Sequence, residues 1–289
     1  MINSAPQGRN LAGIVPVSGW RNSFGFAWPD YLQPLRPGLL AAERSIYECA
    51  LAGCDSIWVV CDDNTAPLIK KRIGDYVLSP RYFEEKNFVK RRDYHKKWIP
   101  VFYTAVPLKD RNKRDSLGWS TLHGALTAFQ VSDKMSQWVC PTKYFVSFPY
   151  GIYDPSFIKN HRSHIRGDES FYLSHHGKTV RDGLYLAFTF NPEDWVKFKW
   201  HIKNQCTGGN RNVSPEERWS SKNFSLDKIF KLDIIDVSKI VEVEEYYNLE
   251  SWESLQNFYA SNIKIPIPGK QFMKPYHYTL RGENEYKKA

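Results

Sequence analysis

The chain has 289 residues, 42% of them hydrophobic and 15% aromatic, with a net charge of +9. That apolar content argues against a disordered chain, and without a run of about 18 apolar residues no membrane-spanning helix is expected. Cys49, Cys54, Cys61, Cys140 and Cys206 are odd in number and form no CxxC, so reduced, mostly buried thiols are expected rather than a zinc site or a disulfide framework.

The N-terminal MINSAPQGRN lacks the apolar core of a signal peptide, so a cytoplasmic protein is expected. Leu11–Val17 is apolar, rich in β-branched residues, and ends in Ser-Gly. It reads as a buried strand with a loop at its carboxyl end. Ligands of open parallel sheets bind at that end, which points to a phosphate- or nucleotide-type ligand. From Pro37 to Leu51, apolar residues at Leu39, Leu40, Ile46, Tyr47, Ala50 and Leu51 follow helical spacing; Pro37 suits the start and Gly53 the stop. Ile57–Cys61 reads as a strand buried on both faces. Asp62 and Asp63 follow it directly, where carboxylates hold ribose or metal, or cap the next helix. That helix starts near Thr65, carries Leu68, Ile69 and Ile73, and ends at Gly74.

Residues 81–114 hold eleven basic and four acidic residues, most of the positive excess of the chain. Such a cluster attracts phosphate, nucleic acid or another anionic partner, or else it is a solvated loop. Ile99–Val106 reads as a strand. Leu117–Gln130 reads as a helix with Leu122, Ala125, Leu126 and Phe129 on one stripe; Ser120 and Thr121 bond a base or phosphate, or cap the helix. Lys143–Phe148 is a further strand. The alternation of strands and helices predicts an α/β fold, a mixed, mostly parallel sheet with helices on both faces.

The second half is less regular. His161, His164, His175 and His176 lie in a polar stretch; adjacent histidines of a strand face apart, so no metal site is expected. Leu184–Phe190 reads as a strand and Asn191–Pro192 as the start of a helix with Trp195, Phe198 and Trp200, which pack in the core or, with Lys197, Lys199 and Lys203, stack on single strands. Residues 206–215 read as a polar loop, Ser225–Leu232 as a helix, Ile240–Tyr246 as a strand, and Ser251–Tyr259 as a helix with Trp252, Leu255 and Phe258 in register. A single domain over 1–262 is expected, with a nucleotide-binding half (about 10–155), a substrate half (about 156–262) and an extended tail at 263–289.

Three segments in order carry a family resemblance. Gly13–Gly19 with Arg21, Pro29, Leu32–Leu35, Glu43–Ile46, Ala52–Gly53 and Ile57–Val60 form the first. Leu117–Ala128 (LGWSTLHGALTA) is the second, and Tyr246–Phe258 (YYNLESWESLQNF) the third. Together they resemble the sugar nucleotidyltransferases (NDP-sugar pyrophosphorylases), with their GT-A-like, Rossmann-like fold; Trp28–Pro34 also looks like a loop of bacteriophage versions of this fold. The resemblance implies nucleotidyl transfer from an NTP to a sugar phosphate with Mg2+. Arg21 and Asp154 would be catalytic, Ser18, Gly19, Asp62, Gly118, Ser120 and Thr121 would bind the nucleotide, and Asp154 and Asp62 would hold the metal. The chain departs from the family at three places. Trp20 stands where a further loop glycine is usual, Asp30 where a lysine is usual, and Phe148–Asp154 (FPYGIYD) where a Gly-Asp metal ligand is usual. An anion beside a triphosphate is unfavourable. A glycosyltransferase using a nucleotide sugar, or a non-catalytic binding protein on the same fold, are therefore the alternatives. For Asp30 the alternatives are pairing with a basic residue such as Arg36, accepting a sugar hydroxyl, or serving as a turn residue.

Overall fold

The computed structural model describes residues 10–17, 23–80, 98–108, 116–205, 225–232, 239–263 and 265. Ser18, Gly19 and Arg21, most of the basic segment 81–114, the loop at 206–215 and the tail beyond 265 lie outside the described residues. The first half contains β1 (Leu11–Pro16), β2 (Pro34–Arg36), β3 (Leu39–Leu40), α1 (Ala41–Ala52), β4 (Ser56–Val60), α2 (Ala66–Ile73), β5 (Tyr76–Leu78), β6 (Trp98–Thr104), α3 (Leu117–Met135) and β7 (Lys143–Val146). Then follow β8 (Gly151–Ile152), α4 (Ser156–Asn160), α5 (Arg162–Arg166), β9 (Phe171–Ser174), β10 (Phe188–Phe190), α6 (Pro192–Gln205), α7 (Leu226–Phe230), β11 (Lys239–Glu242), β12 (Tyr247–Asn248) and α8 (Trp252–Ala260).

Eight strands form one sheet in the order β11-β9-β10-β7-β1-β4-β6-β5. β1 pairs in parallel with both β4 and β7, and β4 with β6. β5 runs antiparallel to β6, and β10 antiparallel to β7 and β9. The sheet is thus mixed and mostly parallel, and β1 and β7 are buried at every residue; β1 is a continuous apolar run, while Lys143 at the start of β7 donates to the Gly167 and Glu169 carbonyls. Helices cover both faces. On β1, Gly13 faces Cys49 of α1, while the next residue, Ile14, faces Gly124 of α3. A Cβ on Gly124 would lie 2.7 Å from Val60 Cγ2 and 2.9 Å from Ile14 Cγ2, so this glycine sets how closely α3 approaches the sheet. Above the carboxyl edge, the β2–β3 hairpin, the β8–β12 pair and α8 enclose a smaller core of Leu35, Leu39, Ile152, Leu249, Leu255 and Phe258.

Several sequence expectations change. Pro37 does not start a helix: Pro37–Gly38 is the turn of the β2–β3 hairpin, and α1 begins at Ala41, where Glu43 accepts the Leu40 N–H. α3 runs on to Met135 with its buried face at Leu117, Leu122, Ala125 and Ala128; Phe129 is exposed. The strand expected at Leu184–Phe190 is confined to Phe188–Phe190. In α8, Leu255 and Phe258 are buried, but Trp252 is exposed. Phe198 is core, whereas Trp200 is exposed. Cys49, Cys54 and Cys61 are buried free thiols. Among the described residues, no helix is long and apolar enough to cross a membrane.

Candidate active site

The carboxyl ends of β1, β4, β6 and β7 lie side by side, and the amino end of α3 meets them. Val17 leaves β1 bonded to the Val60 carbonyl at 2.8 Å, and Cys61 leaves β4 bonded to the Thr104 carbonyl of β6 at 2.9 Å. Beyond β6, the Ala105 carbonyl meets His123 Nε2 of α3 at 3.0 Å. Ser116 is the N-cap of α3: its hydroxyl accepts the Trp119 N–H at 3.2 Å. Ser120 and Thr121 therefore do not cap this helix. They sit one turn inside it, fully buried, and the Thr121 hydroxyl donates back to the Leu117 carbonyl at 2.8 Å. Gly118 lies in the first turn, where a Cβ would come within 2.3 Å of the Ile229 Cδ1 of α7. Packing of α7 is thus a sufficient reason for this glycine.

Asp62 is half-buried directly after β4. Its carbonyl accepts the Thr65 and Ala66 N–H groups at 3.2 and 2.8 Å, turning the chain into α2. The Thr65 hydroxyl accepts a hydrogen bond from Tyr31 at 2.9 Å, tying the loop before α1 to this edge. Burial, reinforced by the Asp62 and Asp63 carboxylates, pushes the Cys61 thiol up to about 12, so it is no nucleophile at neutral pH. Asp154 lies on the other side of β1, beyond β7 and β8; its Oδ1 accepts the Ser156 N–H at 2.8 Å and opens α4. Among the described residues, no group of three or more His, Cys, Asp or Glu side chains is gathered for a metal ion.

Asp30 does not pair with Arg36. It is buried, and both of its oxygens accept the Ser23 N–H at 3.1 Å while Oδ2 also accepts the Ser23 hydroxyl at 2.7 Å. Arg36 instead donates to the Ile263 carbonyl. Of the aromatic residues in the same loop, Phe26 stacks on the exposed Trp28 at 4.9 Å, while Phe24 packs against the smaller core and meets Trp252 edge-on at 5.9 Å.

The structure adds one feature that the sequence reading missed and corrects another. The first is an ion pair inside α1. Arg44 and Glu48 are both wholly buried, with Nη1 and Oε1 2.5 Å apart. Arg44 Nη2 donates to the Phe148 carbonyl at 2.8 Å, and Glu48 Oε2 accepts from Ser147 Oγ at 2.6 Å and Tyr153 OH at 2.8 Å. Burial pushes the Glu48 carboxyl up, and Arg44, Ser147 and Tyr153 pull it back. Two charges four apart amid apolar residues were the available signal. The second is the histidine pair. His175 and His176 stand in a tight turn, not within a strand; His176 has φ 50° and Gly177 φ 71°, which brings the two rings to 4.1 Å. Glu242 anchors the turn, accepting from the His176 N–H and from Ser174 Oγ, both at 2.5 Å.

Solved structures share this fold. One from Bacillus anthracis, named as a glucose-1-phosphate thymidylyltransferase and solved with sucrose, matches with a TM-score of 0.56 at 10% identity, over 91% of this chain and 98% of its own. A UDP-glucose pyrophosphorylase bound to UDP-glucose matches with a TM-score of 0.51 at 12% identity, over 86% of this chain and 97% of its own. No family model matches the sequence, and no curated protein matches it either. At these identities the likeness establishes the fold: this chain has the mixed, mostly parallel sheet of the sugar nucleotidyltransferases.

Proposed function

We propose that the chain is a nucleotidyltransferase that moves a nucleotidyl group from an NTP to a sugar phosphate. The observation that carries this reading is the carboxyl edge around β1. There the β1 and β4 ends, the Asp62 carboxylate and the amino end of the 19-residue helix α3 meet on a fold shared with enzymes named for that chemistry. A helix amino end presents backbone N–H groups to anions. In this reading Arg21, Ser18 and Gly19 hold the triphosphate, and Gly118, Ser120 and Thr121 shape the nucleotide side. An oxygen of the sugar phosphate attacks the α-phosphorus in line, and the bond to the departing pyrophosphate breaks.

The carboxylates Asp62 and Asp154 are hard oxygen ligands, which suits Mg2+, an ion commonly held by one or two carboxylates together with substrate phosphates. Mg2+ held by Asp62 or Asp154 would offset charge on the phosphates. A second reading, glycosyl transfer from a nucleotide sugar, is favoured by one observation. Asp30 occupies the place of the usual lysine and is committed to Ser23, so it adds no cation for a transferring phosphoryl group. Such an enzyme would still want a cationic or metal partner for its diphosphate leaving group.

The test is pyrophosphate release by the purified full chain, with each NTP and a panel of sugar 1-phosphates, with and without Mg2+. Metal-dependent release that falls at least tenfold in Asp62→Asn supports nucleotidyl transfer. Nucleotide release from a nucleotide sugar alone moves the assignment to glycosyl transfer, and neither reaction overturns both.

A further inference from the structure

Strand β7 stops its ladder early. After Val146 the Ser147 N–H still reaches the Ile14 carbonyl at 3.1 Å, and the chain then turns at Pro149–Tyr150. On its outer side the segment is held by the Leu249 N–H on the Tyr150 carbonyl and by the β8–β12 pairing. On its inner side Phe148 packs against Phe188 and Tyr185, and Tyr150 against Tyr185, while the Arg44–Glu48 pair supplies directional hydrogen bonds. Each hydrogen bond given for the pair, beyond that between its own members, ends on this segment: on the Phe148 carbonyl, Ser147 Oγ and Tyr153 OH. The Arg44 guanidinium also lies 5.2 Å from the centre of the Tyr153 ring.

This is a costly way to fill a core. Both side chains are 0% exposed, and Arg44 Nε finds no hydrogen-bond partner among the described residues. Burying two charges and an unpaired N–H is unfavourable, and apolar residues of similar volume often serve stability as well or better. What apolar residues cannot supply is directional contact with a carbonyl, a serine hydroxyl and a phenol at once. We infer that Arg44 and Glu48 are positioning residues that hold segment 147–154 in one conformation and so fix where Asp154 stands relative to the β1 edge. The importance of that position rests on the nucleotidyltransferase reading; the local ordering does not.

The experiment compares three full-length proteins: the parent, the apolar double variant Arg44→Met/Glu48→Leu, and Ser147→Ala/Tyr153→Phe, which leaves the ion pair whole and cuts two of its links. Hydrogen exchange is read on peptides covering 147–154 and, as a reference, β4. In both variants exchange at 147–154 is expected to rise about tenfold while β4 stays unchanged. Pyrophosphate release is expected to fall about 10²-fold in kcat, with the nucleotide-induced thermal shift and the KM for NTP retained. A merely structural pair would instead alter melting temperature, exchange and both kinetic constants throughout. Unchanged exchange at 147–154, or an equal rise at β4, overturns the inference. If the apolar variant does not fold, the Ser147→Ala/Tyr153→Phe protein decides alone. If the parent releases no pyrophosphate, the functional reading fails while the exchange result still stands or falls by itself.

Discussion

Asp30 shows how a single residue changes its chemistry with its neighbours. In the sequence it stood where a phosphate-binding lysine is usual, and Arg36 was a candidate partner. In the structure its carboxylate closes the loop before α1 by accepting the Ser23 N–H and O–H. Asp30→Ala removes the hydrogen bonds that a buried carboxylate makes to the exposed Ser23, a net cost of about 1–3 kcal/mol. At about 2–4 °C per kcal/mol for a chain approaching this size, a calorimetric melting temperature should fall by several degrees. Asp30→Lys should fall further, because it also buries a cation. A protein that keeps its melting temperature with lysine there would show that Asp30 does not secure the loop. A turn role was one of the alternatives open at Asp30, but its partner was not legible. Serine at position 23 is an unremarkable loop residue, and its pairing with Asp30 depends on the shape of the turn between them. Arg44 and Glu48 were half-legible: two charges one helical turn apart were visible, but their burial depends on β7 ending beside α1.

Elements were easier to read than residues, because periodicity survives where pairing does not. The strands β1, β4, β6 and β7 and the helices α1, α2, α3 and α8 all fall where apolar spacing placed them, to within a few residues. The misses have physical causes. Proline suits both the first turn of a helix and a tight turn, and Pro37–Gly38 took the second use, with Gly38 at φ 86°. The stripe on α3 was rotated because small residues, not large ones, face the sheet. Gly124 is the sharpest case. Alanine there gains about 1 kcal/mol of helix propensity but drives a methyl into Val60 and Ile14, an overpacking cost of about 1–3 kcal/mol. Gly124→Ala should therefore lower the melting temperature. Gly118→Ala should lower it as well, since its methyl would meet Cδ1 of the wholly buried Ile229 at 2.3 Å. An unchanged melting temperature in either variant would mean that α3 can shift to make room.

At the scale of the whole molecule, alternating strands and helices announced a mostly parallel sheet, yet not its order. That β7 would lie against β1 could not be seen, because pairing partners in a parallel sheet carry no matching residues along the chain. The candidate site inherits this limit: its near wall follows β1 and β4 in sequence, while Asp154 arrives only through β7. The same order has a kinetic consequence. β1 lies between β4 and β7, and its second neighbour exists only once Thr142, which bonds Asn10 from 132 residues away, has been reached. Contacts so distant in sequence make folding slow, since the entropy of closing a long loop must be overcome before they form. In pulse-labelled refolding, amides of β1 facing β7 should gain protection late and together with those of β7, whereas early protection of β1 alone would contradict this. During synthesis β1 leaves the ribosome long before β7, and the side it turns to β7 stays open while well over a hundred further residues are made.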